Sequence, residues 1–498
     1  MVVFGSLKIH RYQFYSTVAV GAMAPNYEAW SRTDLIARIT ALERREASNS
    51  TSIQPNNDFD FYSYPIRKIA LKFCYSGWEY NGLAFQKKPT PLPTVEGVLF
   101  DALCRARLID EARGYDGCGW EKCGRTDRGV SAAGQVISLW VRSALRQSKE
   151  NSEGPAGEEA EELDTNDDDM LGLFDNTTNT SLSFKPEEEH DYPGILNRIL
   201  PPTIRVLAWS PVSEEFSARR SCKFRHYKYF FSDLNLDLSL MREAANHLVG
   251  LHDFRNLCKI DASKQLTLFM RRILRAEINA VEAGMFVFDL VGTAFLYHQV
   301  RNIMAVLLLV GRGLEPPNII VQLLNVSEGA EPGTWEVLSR KPEYQMADGL
   351  PLVLWDCGYD EKDVQWQTGG PEGEVRGGQA RGIYEHLEGI YERSRVFTTL
   401  NYHFLKKAAE LHSSRPVVTR QETPFHEKWN HSEGIEVPLG AGATRRIRQY
   451  VPLMRRVRND EVEAINERWR NGKGKKYLAK VDNDGDDDDG GGDDDGDE

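Results

Sequence analysis

The sequence predicts an α+β protein built from two similar halves. Strand, helix and β-hairpin patterns alternate twice along residues 67–360. Two acidic tracts, 149–192 and 481–498, are too polar and self-repelling to join a core, and are expected to be disordered. Hydrophobic residues make up 41% of the 498 positions, enough for more than one domain.

The elements follow in order. Residues 1–66 read as an extension: a short helix from Ser31 to Glu46 with Leu35, Ile39 and Leu42 on one stripe, then a Ser/Asn/Asp-rich linker. The first half, 67–235, opens with a strand in which Ile69, Leu71, Phe73 and Tyr75 alternate with other residues. Thr94 is a good N-cap for a helix carrying Val95, Val98, Leu99, Ala102 and Leu103. Val136 to Val141 is apolar on both faces and reads as a buried central strand. After the acidic insert come the strand-like Ile204 to Trp209 and a further strand, Phe224 to Phe231. The second half, 236–360, begins with a helix bearing Met241, Ala244, Ala245 and Leu248, with Gly250 as its stop. Arg275 to Val291 reads as a hairpin turning at Ala283-Gly284, Tyr297 to Val310 as an apolar helix ended by Gly311, and Leu352 to Cys357 as the last strand. Residues 361–480 read as a basic, partly helical appendage, with a helix from Ile383 to Val396 and a run of arginines from Arg445 to Arg458 that suits RNA backbone or a solvated face.

The formal net charge of -13 hides a basic protein. The insert holds fifteen acids against Lys149 and Lys185, and the tail holds eleven acids and no Lys or Arg, which leaves +11 on the remainder. Such a surplus fits a polyanion partner without identifying it. No run of about 18 apolar residues occurs, so no membrane span is expected. The seven cysteines form no C-x-x-C pair and read as free thiols in a reducing compartment. The first 27 residues carry Lys8, His10 and Arg11 and no acid, a presequence-like trait, and Met23 is an alternative start. Cytoplasm and nucleus are the expected location, with a mitochondrial form left open.

Three segments carry chemistry. In Cys123-Gly124-Arg125-Thr126-Asp127-Arg128-Gly129-Val130, one carboxylate lies between two arginines, flanked by glycines that let backbone approach a ligand. The arginines favour ionised Asp127 and suit phosphates. Such an acid is either a nucleophile at an anionic substrate or half of a structural ion pair. In Phe224-Arg225-His226-Tyr227-Lys228-Tyr229, a strand puts Arg225, Tyr227 and Tyr229 on one face, an arrangement for stacking bases beside cations or for an ordinary amphipathic strand. In Tyr297-His298-Gln299-Val300-Arg301-Asn302-Ile303, Arg301 is a lone cation on an apolar helix and calls for a buried acid as partner. His298 is either a proton shuttle or a packed histidine, the latter being the safer reading.

Gly124 to Val130 resembles the active-site signature of the TruA family of tRNA pseudouridine synthases. Arg225-x-Tyr227-x-Tyr229 and Val300-Arg301-Asn302 are similar to that family's later motifs, in order. Residues 68–107, Gly250-Leu251-His252-Asp253-Phe254 and Ala347-Asp348-Gly349-Leu350 extend the likeness over roughly 67–360. The resemblance implies two similar α/β halves with largely antiparallel sheets meeting at a central cleft. It implies Asp127 as the catalytic acid, Tyr227 stacked on the target uracil, and Arg301 beside the acid. Arg125, Thr126, Arg128 and Arg225, with Tyr227, become the candidate substrate-binding residues. No cofactor or metal is implied; the partner is the tRNA anticodon stem-loop, and the assembly a homodimer. Gln135 to Leu139, Asn197 to Trp209 and Leu354 to Tyr359 resemble the eukaryotic branch acting at positions 38 and 39. One departure stands out: Tyr75-Ser76-Gly77 and Leu83-Ala84-Phe85-Gln86 replace the Tyr-Asp-Gly and Gly-Trp-Gln usual in bacteria. A sister synthase for positions 27 and 28 and a non-catalytic tRNA-folding chaperone are the alternatives.

Overall fold

The computed structural model describes residues 59–145, 189–282, 284–368, 382–412 and 434–475. The helix expected at 31–46, most of the acidic insert, the acidic tail and Ala283 of the expected turn lie outside them. The chain divides into a unit ending at Asp60 and one starting at Phe61, which carries every element below.

Nine strands form one mixed sheet: β1 (Ile66–Tyr75), β2 (Glu121–Lys122), β3 (Ser131–Arg142), β4 (Ile204–Pro211), β5 (Phe224–Ser232), β6 (Gly250–Asp253), β7 (Met270–Glu282), β8 (Met285–Gly292) and β9 (Leu352–Gly358). Their order is β4-β1-β3-β9-β5-β8-β7-β6, with β2 beside β3. Every pairing is antiparallel but one, the short parallel seam of β3 with β9 at Ser131–Val353 and Ala132–Leu354. One rung across that seam runs Tyr75, Ala132, Leu354, Tyr227, Leu290.

Helix α1 (Val95–Arg105) starts where Thr94 accepts from the Gly97 amide, as its sequence calls for. It buries Leu99 and Leu103 and meets α2 (Tyr192–Ile199). The sheet also carries α3 (Leu238–Asn246), α4 (Gln299–Gly311) and α5 (Ile319–Leu324). Every residue of α4 except Arg301 is buried, so this helix is an interior rod rather than an amphipathic one. It begins at Gln299, two residues later than its apolar pattern reads, because His298 adopts a left-handed conformation (φ +57°). Gly250 does not stop α3, which is capped at His247; it opens β6 with φ +130°. The hairpin of β7 and β8 does turn through Gly284, at φ +75°.

Two boundaries shift. A division at residue 235 groups β5 with the first half, yet β5 pairs with β8 and β9 of the second. The 361–480 stretch is not one appendage. Its helix α6 (Ile383–Leu411) buries no residue, but β10 (Ile435–Gly440), β11 (Ala443–Ile447) and α7 (Val462–Asn471) are built into the second half. The Leu439 carbonyl accepts from Asp348 N at 2.7 Å, Glu315 holds the Leu453 amide and the Tyr450 hydroxyl, and Leu453 and Val462 join the core.

Candidate active site

The signature loop runs directly into β3, and its shape is set from behind. Gln135 Nε2 donates to Gly124 O at 2.8 Å, and Leu83 N donates to Thr126 O at 3.1 Å. Gly129 turns the chain at φ +81°, bringing Val130 N to Asp127 O at 3.1 Å. The buried Tyr75 hydroxyl meets Thr126 Oγ1 at 2.6 Å, so Thr126 is committed to the protein. Gly82, at φ +89°, leaves room for this backbone; a Cβ there would lie 3.1 Å from Thr126 O.

Asp127 is thereby aimed at the start of α4. Its Oδ2 lies 3.2 Å from His298 Nε2 and 3.4 Å from Arg301 Nη1, with 23% of the side chain exposed. Arg301 Nε donates to Ala347 O at 2.9 Å. Burial pushes the Asp127 carboxyl up, but the hydrogen bond and charge of His298 and then the charge of Arg301 outweigh it, so the acid is held below its usual range. The His298 ring is 6% exposed and tilts against Tyr297 at 3.8 Å; its Nδ1 is buried with no hydrogen-bond partner among the described residues.

Tyr227 stands on the same sheet rung as Tyr75, two strands beyond Ala132, and is 8% exposed. Its ring meets Phe295 edge-on at 5.0 Å. Burial, followed by the charge of neighbouring groups including Asp127, drives its phenol upward, so the resting form is neutral. Arg225, expected at the substrate, donates to the carbonyls of Thr293, Cys123 and Arg219, and so clamps the strand to the root of the signature loop. Arg125 and Arg128 are exposed. A cavity of about 400 Å³ opens beside the acid, lined by Trp78, Tyr80, Arg128, Arg301, Asp348 and Leu350 among others. Among the described residues no cluster of three or more His, Cys, Asp or Glu is placed to hold a metal ion.

The arrangement unites the acid and the guanidinium singled out in the sequence. It adds Tyr75 and Trp78, which sequence reasoning did not place there, and brings His298, left between a proton shuttle and a packed histidine, against the acid. For Tyr75 the alternation of the opening strand was a signal, since it set the face of the ring; for His298 the adjacency to Arg301 was one.

A family profile described as tRNA pseudouridine synthase matches residues 244–360, which span His298 and Arg301. A Saccharomyces cerevisiae protein named tRNA pseudouridine(38/39) synthase is 35% identical over 473 residues, covering 90% of this chain and 93% of its own. This chain belongs to the TruA family of tRNA pseudouridine synthases. The human protein named tRNA pseudouridine(38/39) synthase is 38% identical over 354 residues, 67% of this chain and 66% of its own. A Methanothrix thermoacetophila protein named tRNA pseudouridine synthase A is 35% identical over 307 residues, 60% of this chain and 85% of its own.

Proposed function

We propose that this chain isomerises uridine to pseudouridine at positions 38 and 39 of the tRNA anticodon stem-loop, with Asp127 as the essential acid. The reaction breaks the N1–C1′ bond, turns the uracil and joins C5 to C1′; nothing is oxidised. It needs an ionised carboxylate near the sugar, a surface for the freed ring and shelter from water. The observation that carries the reading is Asp127, held below its usual range between His298 and Arg301, whose guanidinium lines a nucleotide-sized cavity. Tyr227 supplies the ring surface. The base must leave its stack, at a cost of a few kcal/mol, which is smallest near a loop.

The sheet order supports two related halves: β1 flanked by β4 and β3, and β5 flanked by β8 and β9, face each other across the parallel seam. The cleft would then lie over that seam. A homodimer and residence in cytoplasm and nucleus belong to the same proposal. The test is tritium release from C5-labelled tRNA. Asp127→Asn is expected to release no tritium above background while binding tRNA like the wild type; full turnover in the purified variant would reject Asp127.

A further inference from the structure

Trp78 lies on the wall of the cavity beside Asp127 and is 56% exposed. An indole is the most costly of side chains to leave in water, and no hydrogen bond, ring contact or cation contact is made by Trp78 among the described residues. Trp355, the other markedly exposed tryptophan among the described residues, is by contrast covered by Lys228 Nζ at 3.8 Å from its ring.

The backbone that carries Trp78 is fixed. Gly77 to Glu79 form a single 3₁₀ turn. Gly77 N donates to Ser131 Oγ at 2.9 Å, and a Cβ at Gly77 would lie 2.0 Å from Val130 O, so the turn rests directly on the chain three residues past Asp127. Tyr80 closes the turn through its amide to Gly77 O at 3.1 Å, and its hydroxyl meets Thr203 Oγ1 at 2.7 Å. The ring is therefore displayed at a set distance from the catalytic loop rather than left on a floppy tip. Its neighbours in the wall include Tyr80, Leu92 and the exposed Leu350, the cations Arg128 and Arg301, and the acid Asp348, whose carboxylate accepts from the Leu350 amide. A flat aromatic face beside cations, in a cavity of one nucleotide's size, is the chemistry of single-stranded RNA: the base stacks and the phosphate meets a guanidinium. A protein partner would meet a concave wall carrying the charges of Arg128, Arg301 and Asp348.

We propose that Trp78 is a stacking platform for a base of the substrate RNA next to the uridine being isomerised, with Arg128 facing that nucleotide's phosphate. This rests on the reading that the cavity receives tRNA uridine, and the experiment separates the two. Binding of a labelled anticodon stem-loop RNA is measured by anisotropy in the Asp127→Asn background, with Trp78 intact or changed to Ala, Leu or Phe. KM and kcat for tritium release are measured for the same Trp78 variants with Asp127 present. Trp78→Ala and Trp78→Leu are expected to raise Kd and KM by roughly 5- to 150-fold with kcat at saturation nearly unchanged, and Trp78→Phe to stay within about threefold of the parent. Leu keeps the apolar bulk without the π-face, so Leu binding as tightly as Phe overturns stacking, as does an Ala variant with parental Kd and KM. Should the protein with Asp127 present release no tritium while Trp78→Ala still weakens RNA binding, the isomerase reading falls and the platform stands.

Discussion

Arg301→Gln tests whether the guanidinium works by keeping Asp127 ionised. The pair is 3.4 Å apart, with 14% and 23% of the two side chains exposed. At an effective dielectric of about 20 that separation is worth on the order of 5 kcal/mol, and loss of one partner from a mostly buried pair costs about 3–5 kcal/mol. His298, still 3.2 Å away, retains part of the support, so about 3 kcal/mol is the expected loss, a deficit in kcat/KM that approaches roughly 150-fold at acid pH, where the variant's carboxyl is protonated and the wild type's is not. The sign of the pH dependence follows from the causes. Burial alone pushes Asp127 up, while its contacts with His298 and with the Arg301 guanidinium pull it down, so removing the guanidinium raises its pKa. The acid limb of the rate profile then moves to higher pH, and the deficit is largest at low pH and shrinks as pH rises. Arg301→Lys keeps the charge but not the reach to Ala347 O, and is expected to lose about tenfold. Tritium release from C5-labelled tRNA, followed across pH for all three proteins, is the assay. A deficit that is the same at every pH, or a Lys variant no better than Gln, would refute the argument that the guanidinium acts on the acid's ionisation.

Tyr227→Phe is expected to bind tRNA like the wild type and to lose less than about tenfold in kcat, because burial keeps the phenol neutral; a general base would cost 10²–10⁴-fold, which stopped-flow or quenched turnover would show. Glu189, 10% exposed, accepts from Arg67, Ser143 and the amides of Ala144 and His190, and these bonds outweigh burial to hold it at about 2 against an ordinary 4.5. Glu189→Gln is expected to lower stability by about 2 kcal/mol at neutral pH, discounted for screening, and urea melts should show the gap closing as pH falls from about 4.5 to about 2. Gly77→Ala forces a Cβ to within 2.0 Å of Val130 O, which is backbone and cannot swing away; a loss of about 1–3 kcal/mol in urea melts, with reduced turnover, is expected.

The acid, the guanidinium and the strands on either side were legible because each is a local signal. A charge alone on an otherwise apolar helix needs a counter-charge, and Asp127 is that partner. Alternation placed the Tyr75 ring on a definite face, and β1 obeys it. What stayed hidden is what long-range pairing decides. Arg225 reads as a phosphate ligand because its three carbonyl acceptors come from segments as far as Cys123 and Thr293. His298 has no mark in the sequence of its positive φ, which arises where the loop from β8 must turn sharply into α4. The C-terminal stretch reads as an appendage because its arginines dominate, while Leu453 and Val462, its core residues, are isolated apolar positions without a period.

The parallel seam explains why these parts meet. Antiparallel neighbours send successive loops to opposite edges of a sheet, whereas parallel neighbours bring both incoming loops to the same edge. Because β3 and β9 run parallel, the signature loop that enters β3 and the segment Ala347–Pro351 that enters β9 arrive side by side. They touch so closely that a Cβ at Gly349 would lie 3.3 Å from Arg128 O and 3.6 Å from Arg301 Cζ. Arg301 then joins them with one side chain, giving Nη1 to Asp127 and Nε to Ala347 O. A planar guanidinium fixed at two points has little freedom left, so the carboxylate it faces is both charged and directed. The rung of Tyr75, Ala132, Leu354 and Tyr227 crosses the same seam, so the phenol that locks Thr126 and the Tyr227 ring are set by one register. A slip of one residue in that short seam would leave Tyr75 with β3 and the acid but turn Tyr227 to the opposite face of the sheet. The seam's few paired residues therefore govern the site as a whole, although none of them touches the reacting atoms.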